Sequence, residues 1–553
     1  MKLYRLILPW EDTKMNKKWI IFIPFLVGFS LLAGIFIGNM TRNNSRSVFP
    51  IISVSNTSKI TSILNLIEHG YVDKVDINEI TEKTIPNILT NLDPHTTYIP
   101  AQNMQKVEED MRGNFSGIGI QFAIQDDTVR VIDVISGGPS SDVGVLPGDR
   151  VVTVNDSLIA GINIDNDMVL KLLRGQKNTK VRVGISRKGH NEELKFEITR
   201  GDIPIYSVDV SYIIDNETGF IKISRFSDTT YDEFMEGMRK ISKQGVTKVI
   251  IDLRQNTGGL LSSVLRMLDE FLEKGEPILY TEGLNQPRKT YNASGRNTWK
   301  NMKVYVVIDE FSASASEIFA GAIQDNDRGI IIGRRSFGKG LVQEQIPLMD
   351  GSALRLTVAR FYTPSGRCIQ SPFENDEYYT QLYERFNGME RLVADSIHFI
   401  DSLQYTTKGG RTVYGGGGIM PDFFVPIDTT GNSEYYNQIY RKGLIRSFSY
   451  NYADEYRDRL KALGNAKEIE LYLDRNEIMD KFIAYASEKG VPKDDSGLKE
   501  SGVFIQTQLK AYIALNVIGE EGYYPIIKQI DKTLLQAIEI SHQSLLVENL
   551  NKL

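Results

Sequence analysis

Three short apolar runs with helices between them constrain this chain more than any other feature. K-V-I-I-D-L at Lys248–Leu253, V-Y-V-V-I at Val304–Ile308 and the run Gly329–Gly333 read as strands buried on both faces. Helical periodicity fills the gaps between them, at Leu260–Leu272 and Ala315–Gln324. This alternation predicts a largely parallel α/β sheet, with its working loops at the C-terminal ends of the strands.

Those ends carry unusual residues. The first strand runs into R-Q-N-T-G-G, and the second into F-S-A-S-A-S-E-I-F-A-G-A-I-Q-D (Phe311–Asp325), a cluster of small hydroxyl residues opening a helix. After the third comes S-F-G-K-G-L-V-Q (Ser336–Gln343), a lysine between two glycines. A serine is a nucleophile only if something takes its proton, and a lysine held neutral can do so. Taken singly, S-A-S-A-S also suits a tight helix contact and Gly-Lys-Gly a turn. Their joint placement at strand ends favours chemistry.

I-D-L-R-Q-N-T-G-G (Ile251–Gly259), S-A-S-A-S-E-I-F-A-G-A, F-G-K-G-L-V-Q and Y-T-P-S-G-R (Tyr362–Arg367) follow one another in an order that resembles the carboxy-terminal processing, or tail-specific, proteases. Leu92-Asp93-Pro94-His95 and Y-G-G-G-G-I-M-P-D (Tyr414–Asp422) extend the resemblance, which covers roughly 56–426. The resemblance implies a serine peptidase with a Ser–Lys pair on a crotonase-like rather than a Rossmann core. Matched position by position, it puts the nucleophile on Ser314, the base on Lys339 and a supporting glutamine on Gln343.

Elementary chemistry extends those roles. Ser314 would stand at a helix N-terminus, where unpaired amides favour negative charge. The Ala315 amide is the natural first donor to an oxyanion. Gly259 offers the second, with Gly258 as the alternative. Lys339 must lose its proton at working pH, so burial has to lower its pKa from about 10.4. Phe337 and the flanking glycines supply apolar cover, and the local sequence shows no nearby carboxylate. Gln343 can orient the amine without adding charge. Ser312 and Ser316 suit capping or packing, Asp252 and Arg254 an ion pair that braces the loop, and Asp325 is a conceivable third member that a Ser–Lys pair does not require.

Between 113 and 203 the texture changes to alternating segments at Val129–Val134, Asp149–Val154, Val181–Ile185 and Leu194–Ile198, with a short helix at Asn166–Leu173. F-S-G-I-G-I (Phe115–Ile120), G-G-P-S-S-D-V-G-V-L-P-G-D-R (Gly137–Arg150) and L-L-R-G (Leu172–Gly175) resemble a PDZ domain of the circularly permuted bacterial kind. Gly117, Ile118, Gly119 and Ile120 would turn backbone amides toward a terminal carboxylate while the peptide adds as a strand. Arg174 is the candidate charged contact between this unit and the core. Asp149 and Arg150 suit a turn.

Trp19–Gly38 is a run of twenty residues without a charge, long enough to span a bilayer, with Lys14, Lys17 and Lys18 before it. It reads as a single anchor with the rest of the chain on the extracytoplasmic, periplasmic side; a cleaved signal peptide is the alternative. The expected organisation is then 1–18 cytoplasmic, 19–38 anchor, 39–55 linker, 56–112 helical, 113–203 PDZ, 204–430 protease core with an insertion at 371–411, and 431–553 a helical appendage. Asp93-Pro94 should end the second helix of the 56–112 segment, and His95 beyond it should brace a loop.

At 553 residues the chain has room for several cores. A net charge of −6 and no basic stripe argue against a nucleic-acid partner. One cysteine, Cys368, rules out an intrachain disulfide and reads as packing. No metal-ligand spacing occurs, so no metal or cofactor is expected. The expected partners are protein or peptide substrates with free C-termini, the membrane, and a second copy or an adaptor. Rival readings are a non-catalytic PDZ scaffold, an acyl-CoA enzyme on a crotonase-like core, and a chymotrypsin-type protease. The last needs a catalytic histidine, and His69, His95, His190, His398 and His542 lack fitting contexts.

Overall fold

The computed structural model describes residues 59–135, 137–373, 377–393 and 401–543. The apolar run Trp19–Gly38 lies outside them. Among the described residues no helix is long and apolar enough to cross a membrane.

The chain divides after Lys83 into two compact units. The first, described from Lys59, contains the helix Lys59–Gly70 and the start of Ile77–Leu89. The second holds everything that follows.

The second helix ends at Leu89, short of the Asp93-Pro94 stop expected from sequence. Asp93 instead caps the turn beyond it: its carboxylate accepts from the His95 and Thr96 amides at 2.8 Å each and from Thr96 Oγ1 at 2.6 Å. The segment read as wholly helical also contains a strand, Thr97–Ile99, which pairs antiparallel with Ala353–Arg355. Three residues cannot announce a strand locally when their partner lies so far along the chain. The helix Ala101–Arg112 follows.

In the PDZ region a ribbon of Asn114–Gly117 and Gly201–Pro204 joins the two ends, and a sheet runs in the order Ile120–Gln125, Thr128–Val134, Arg150–Val154, Lys180–Ser186, Leu194–Thr199. The helix Asn166–Leu173 is capped by Asp165, which accepts from the Met168 amide at 2.7 Å. It contributes Val169 and Leu173 to a core with Val131, Val151, Val183 and Ile198. Asp149 fixes its turn by accepting from the Leu146 amide, and its ion pair is with Arg187.

The main sheet contains Val208–Ile213, Thr218–Ile223, Lys248–Asp252, Lys303–Ile308, Gly329–Gly333 and Phe423–Phe424 in that order, parallel except at the first pair. Its side chains alternate between two cores. Ile221, Val249, Ile251, Val306 and Ile331 face the helices Thr230–Ser242, Leu261–Leu268 and Ala315–Asp325. Phe220, Ile250, Tyr305, Val307 and Ile332 face the opposite way, onto Leu534, Ala537 and Ile540 of the helix Lys532–His542. The last described helix therefore packs into the core of this sheet, whereas 435–527 forms a helical core of its own. The reading of 431–553 as one appendage is corrected accordingly. The expected helix Leu260–Leu272 is shorter than its pattern: it ends at Leu268, and the buried Asp269 and Glu270 beyond it accept hydrogen bonds from Ser294 and Thr298.

A second sheet was not foreseen. Leu341–Pro347 and Ala353–Tyr362 form a hairpin, and the latter also pairs with Thr97–Ile99 and Pro277–Gly283. This hairpin presents the residues that follow Lys339 to the main sheet's strand ends.

Candidate active site

Ser314, Ala315, Gly258, Gly259, Lys339 and Gln343 line one cavity of about 1050 Å³. The cluster of serines resolves itself by hydrogen bonding. Ser312 donates to the Leu253 carbonyl at 2.9 Å and Ser316 to the Asn256 carbonyl at 2.8 Å, so both stitch the helix to the strand-end loop. Ser314, between them, faces the cavity. Its backbone sits at φ 54°, ψ −111°, a conformation that costs a non-glycine residue of order 1–3 kcal/mol.

Glu317 holds that turn. Its carboxylate accepts from the Ser314 amide at 2.8 Å, the Gly338 amide at 2.6 Å, the Lys339 amide at 2.9 Å and Ser336 Oγ at 2.5 Å. One buried side chain thus ties the serine turn to the lysine turn. Burial pushes its pKa up, and the Ser336 hydroxyl and the three amides oppose that. The structure brings to Lys339 a carboxylate that its local sequence does not supply: Glu317, from the preceding helix. The capping-box spacing Ser314–Glu317 was the available signal.

Lys339 Nζ donates to Gln343 Oε1 at 3.0 Å, and Gln343 Nε2 donates to the His95 carbonyl at 2.5 Å. Burial, then the charge of Arg355, lowers the lysine pKa, with Glu317 and Asp93 opposing. His95 serves through its backbone; its ring is pushed down to about 4 by burial and by Lys339, and so stays neutral. Among the described residues no hydrogen bond joins Lys339 Nζ to Ser314 Oγ; both residues line the same cavity.

Two backbone amides point nowhere else. Ala315, at the helix start, and Gly259 have no acceptor among the described residues. The neighbouring bonds from Phe226 N to Gly258 O and from Leu260 N to Phe226 O leave Gly259's own amide free. A Cβ at Gly259 would stand 2.0 Å from the Phe226 carbonyl, so only glycine fits there. Gly258 is excluded as the alternative because its amide donates to Asn256 Oδ1 at 2.9 Å.

The supporting residues divide as follows. Asp252 pairs with Arg254 as expected at 2.6 Å, but Arg254 also forks onto Asp531 at 2.6 and 2.8 Å, a partner that sequence reasoning missed. Asp325 is no third catalytic member: it is buried against Arg367 at 2.7 Å. The 371–411 insertion also reaches the site, since Arg385 donates to the Phe337 carbonyl at 2.7 Å and Phe386 stacks on Phe311.

In the PDZ region the Ile118 and Gly119 amides lack acceptors among the described residues, while the carbonyls of both are held by the Ser140 and Ile135 amides. Gly117 and Ile120 begin and end this loop within strands. Arg174 does not touch the core. It lies 3.7 Å from Glu109 on the helix Ala101–Arg112 and 4.0 Å from the Phe115 ring. That helix, through Val107, Asp110 and Met111, lines the catalytic cavity.

Comparison with known proteins agrees with this architecture. Family models match peptidase family S41 over residues 217–378, a PDZ domain over 116–198 and a family of unknown function over 435–519. Carboxy-terminal processing protease CtpB of Bacillus subtilis is 34% identical over 56% of this chain and 65% of its own length. A carboxy-terminal-processing protease of Bartonella bacilliformis is 30% identical over 73% of this chain and 92% of its own. A solved photosystem II D1 C-terminal processing protease aligns at 25% identity over 57% of this chain and 90% of that one, with a TM-score of 0.32. The chain belongs to the carboxy-terminal processing proteases, serine-type peptidases of family S41 that carry a PDZ domain.

Proposed function

We propose that this chain is an endopeptidase that recognises protein C-termini and cleaves by a Ser–Lys pair through an acyl-enzyme. The observation that carries the reading is the single carboxylate of Glu317, which binds the Ser314 turn to the Lys339 turn beside two unoccupied amides. On substrate binding Lys339 closes on Ser314 and takes the Oγ proton as Oγ attacks the scissile carbonyl carbon. The Ala315 and Gly259 amides receive the oxyanion. Lys339, now an ammonium, gives its proton to the leaving amine, and the acyl ester remains on Ser314. Water then attacks that ester with Lys339 again as base, and the proton returns to Ser314 as the acid product leaves. Leu279, Ile318, Leu341 and Phe361 line the same cavity and favour an apolar side chain beside the cleaved bond.

The Gly117–Ile120 loop holds the substrate's terminal carboxylate on this reading, with the tail added along Ile120–Gln125, the edge strand of its sheet. The core is taken as crotonase-like. Trp19–Gly38 is taken as a membrane anchor, with the catalytic units on the periplasmic side. Incubating the chain lacking residues 1–38 with an unstructured protein tests the chemistry: fragments should form, and Ser314→Ala should abolish them. Recovery of cellular protein starting near Asn39 would replace the anchor by a cleaved signal.

A further inference from the structure

Arg355 is a half-buried cation with no acid partner among the described residues. The strand Ala353–Tyr362 places it opposite Gln345 and opposite Thr97, and places Thr357, two residues on and on the same face, opposite Gln343. Arg355 therefore stands on the wall that presents Gln343 and Lys339, and it lines the catalytic cavity with them.

Its donors are nearly unused. A guanidinium offers five N–H groups, and among the described residues the one side-chain bond of Arg355 runs from Nη2 to Gln345 Oε1 at 3.2 Å. Other arginines of this protein are satisfied differently. Arg254, Arg367 and Arg411 each meet one or two carboxylates. Arg328 has none, yet it donates to four backbone carbonyls. Arg355 has neither arrangement. A half-buried, unpaired guanidinium is costly, because desolvation is uncompensated; burial lowers its pKa and no acid offsets this. A site that keeps such a group open beside the reacting residues is built to take an anion from outside.

We propose that Arg355 is a substrate-binding residue that receives a carboxylate of the peptide in the catalytic cavity, by the paired N–H geometry arginine offers to that group. The carboxylate is either an Asp or Glu side chain near the cleaved bond or the free terminus of a tail short enough to lie in the cavity. The inference rests on reading this cavity as the peptidase site. It adds a second, charge-based determinant to the apolar one and is separate from the carboxylate loop at Gly117–Ile120.

The test uses the full chain and unstructured peptides that carry a single Glu, or Gln in its place, at successive positions around the cleaved bond, with free-acid and amidated termini. At sub-saturating substrate, kcat/KM for Glu should exceed that for Gln about tenfold at one position, the scale of one charge-assisted pair. In Arg355→Gln this ratio should fall to near one, and Arg355→Lys should retain part of it. A free-acid preference that vanishes in Arg355→Gln assigns the terminus as the source; one that survives belongs to the Gly117–Ile120 loop. Glu/Gln ratios near one at every position in the unaltered protein, with the same acid/amide ratio in Arg355→Gln, overturn the proposal; if Arg355→Gln does not fold, an acid/amide ratio unchanged in Arg355→Ala or Arg355→Met takes its place in that comparison. No cleavage of any peptide, with Ser314→Ala indistinguishable, would instead defeat the peptidase reading beneath it.

Discussion

The catalytic cavity and the Gly117–Ile120 loop each expose two backbone amides without acceptors, but they hold them differently. Around the cavity Ser312, Ser316, Asn256 and Glu317 fix the loop after Leu253 and the Ser314 turn with side-chain hydrogen bonds. The PDZ loop is held by two backbone contacts, from Ser140 to the Ile118 carbonyl at 2.9 Å and from Ile135 to the Gly119 carbonyl at 3.0 Å. An oxyanion exists only while the tetrahedral species forms and collapses, so its donors must be rigid before it forms. A peptide terminus is a ground-state ligand, and a loop that adjusts to it still binds. Substitutions in the first region should therefore appear in kcat and in the second in KM.

The largest effect should come from Lys339. Lys339→Ala should reduce turnover by about 10³-fold or more, and Lys339→Arg should do the same, because guanidinium does not give up its proton. Folding, followed by thermal melting, should be retained in both. An active Lys339→Ala with an inactive His95→Ala would reverse the assignment of the base.

Glu317→Ala should strike both catalytic turns together. It leaves the Ser314, Gly338 and Lys339 amides without their acceptor, which should cost about 3 kcal/mol of stability and about 10²-fold in kcat. Glu317→Gln, which keeps the shape and one acceptor oxygen, should lose less on both measures. Equal losses would mean that the carboxylate's second oxygen, rather than the volume, does the tying.

In the PDZ loop Gly119 has φ +77°, and a Cβ there would approach Ile203 Cδ1 to 3.1 Å. Gly119→Val should raise KM for free-acid tails about tenfold and leave kcat at saturation within about twofold. A fall in kcat instead would show that the loop gates chemistry as well as binding.

The smallest effect is a displacement of the pH profile. Lys339 acts as a base only when neutral, so turnover rises as pH passes upward through its lowered pKa. The groups that act on it are Arg355, which lowers that pKa, and Glu317 and Asp93, which raise it, with His95 neutral beside it. Arg355→Gln removes a positive neighbour, stabilises the ammonium and should move the rising limb to higher pH. His95, with its ring pKa near 4, should add no inflection around pH 6.5.

Much of this site was legible without coordinates. Ser314, Lys339 and Gln343 lie in motifs whose order is specific, and the strand Gly329–Gly333 and the helix Asn166–Leu173 begin and end where the pattern puts them. Glu317 was written in the same motif as Ser314, but its reach to Ser336, Gly338 and Lys339 was not, because a capping residue looks local until a second loop folds onto it. Arg174 was chosen as a charged bridge and does form one, yet to the helix Ala101–Arg112 rather than to the core.

The sequence by itself determined the α/β core, the PDZ unit and the candidates for the reacting side chains, because hydrophobic periodicity and short motifs are properties of neighbouring residues. Only the tertiary structure decided which of three serines is left facing the cavity and which glycine keeps its amide free. It also decided that Asp531 and the helix Lys532–His542 belong to the protease core. These are questions of which donors and apolar faces are already occupied, and occupation is settled by partners hundreds of residues away along the chain.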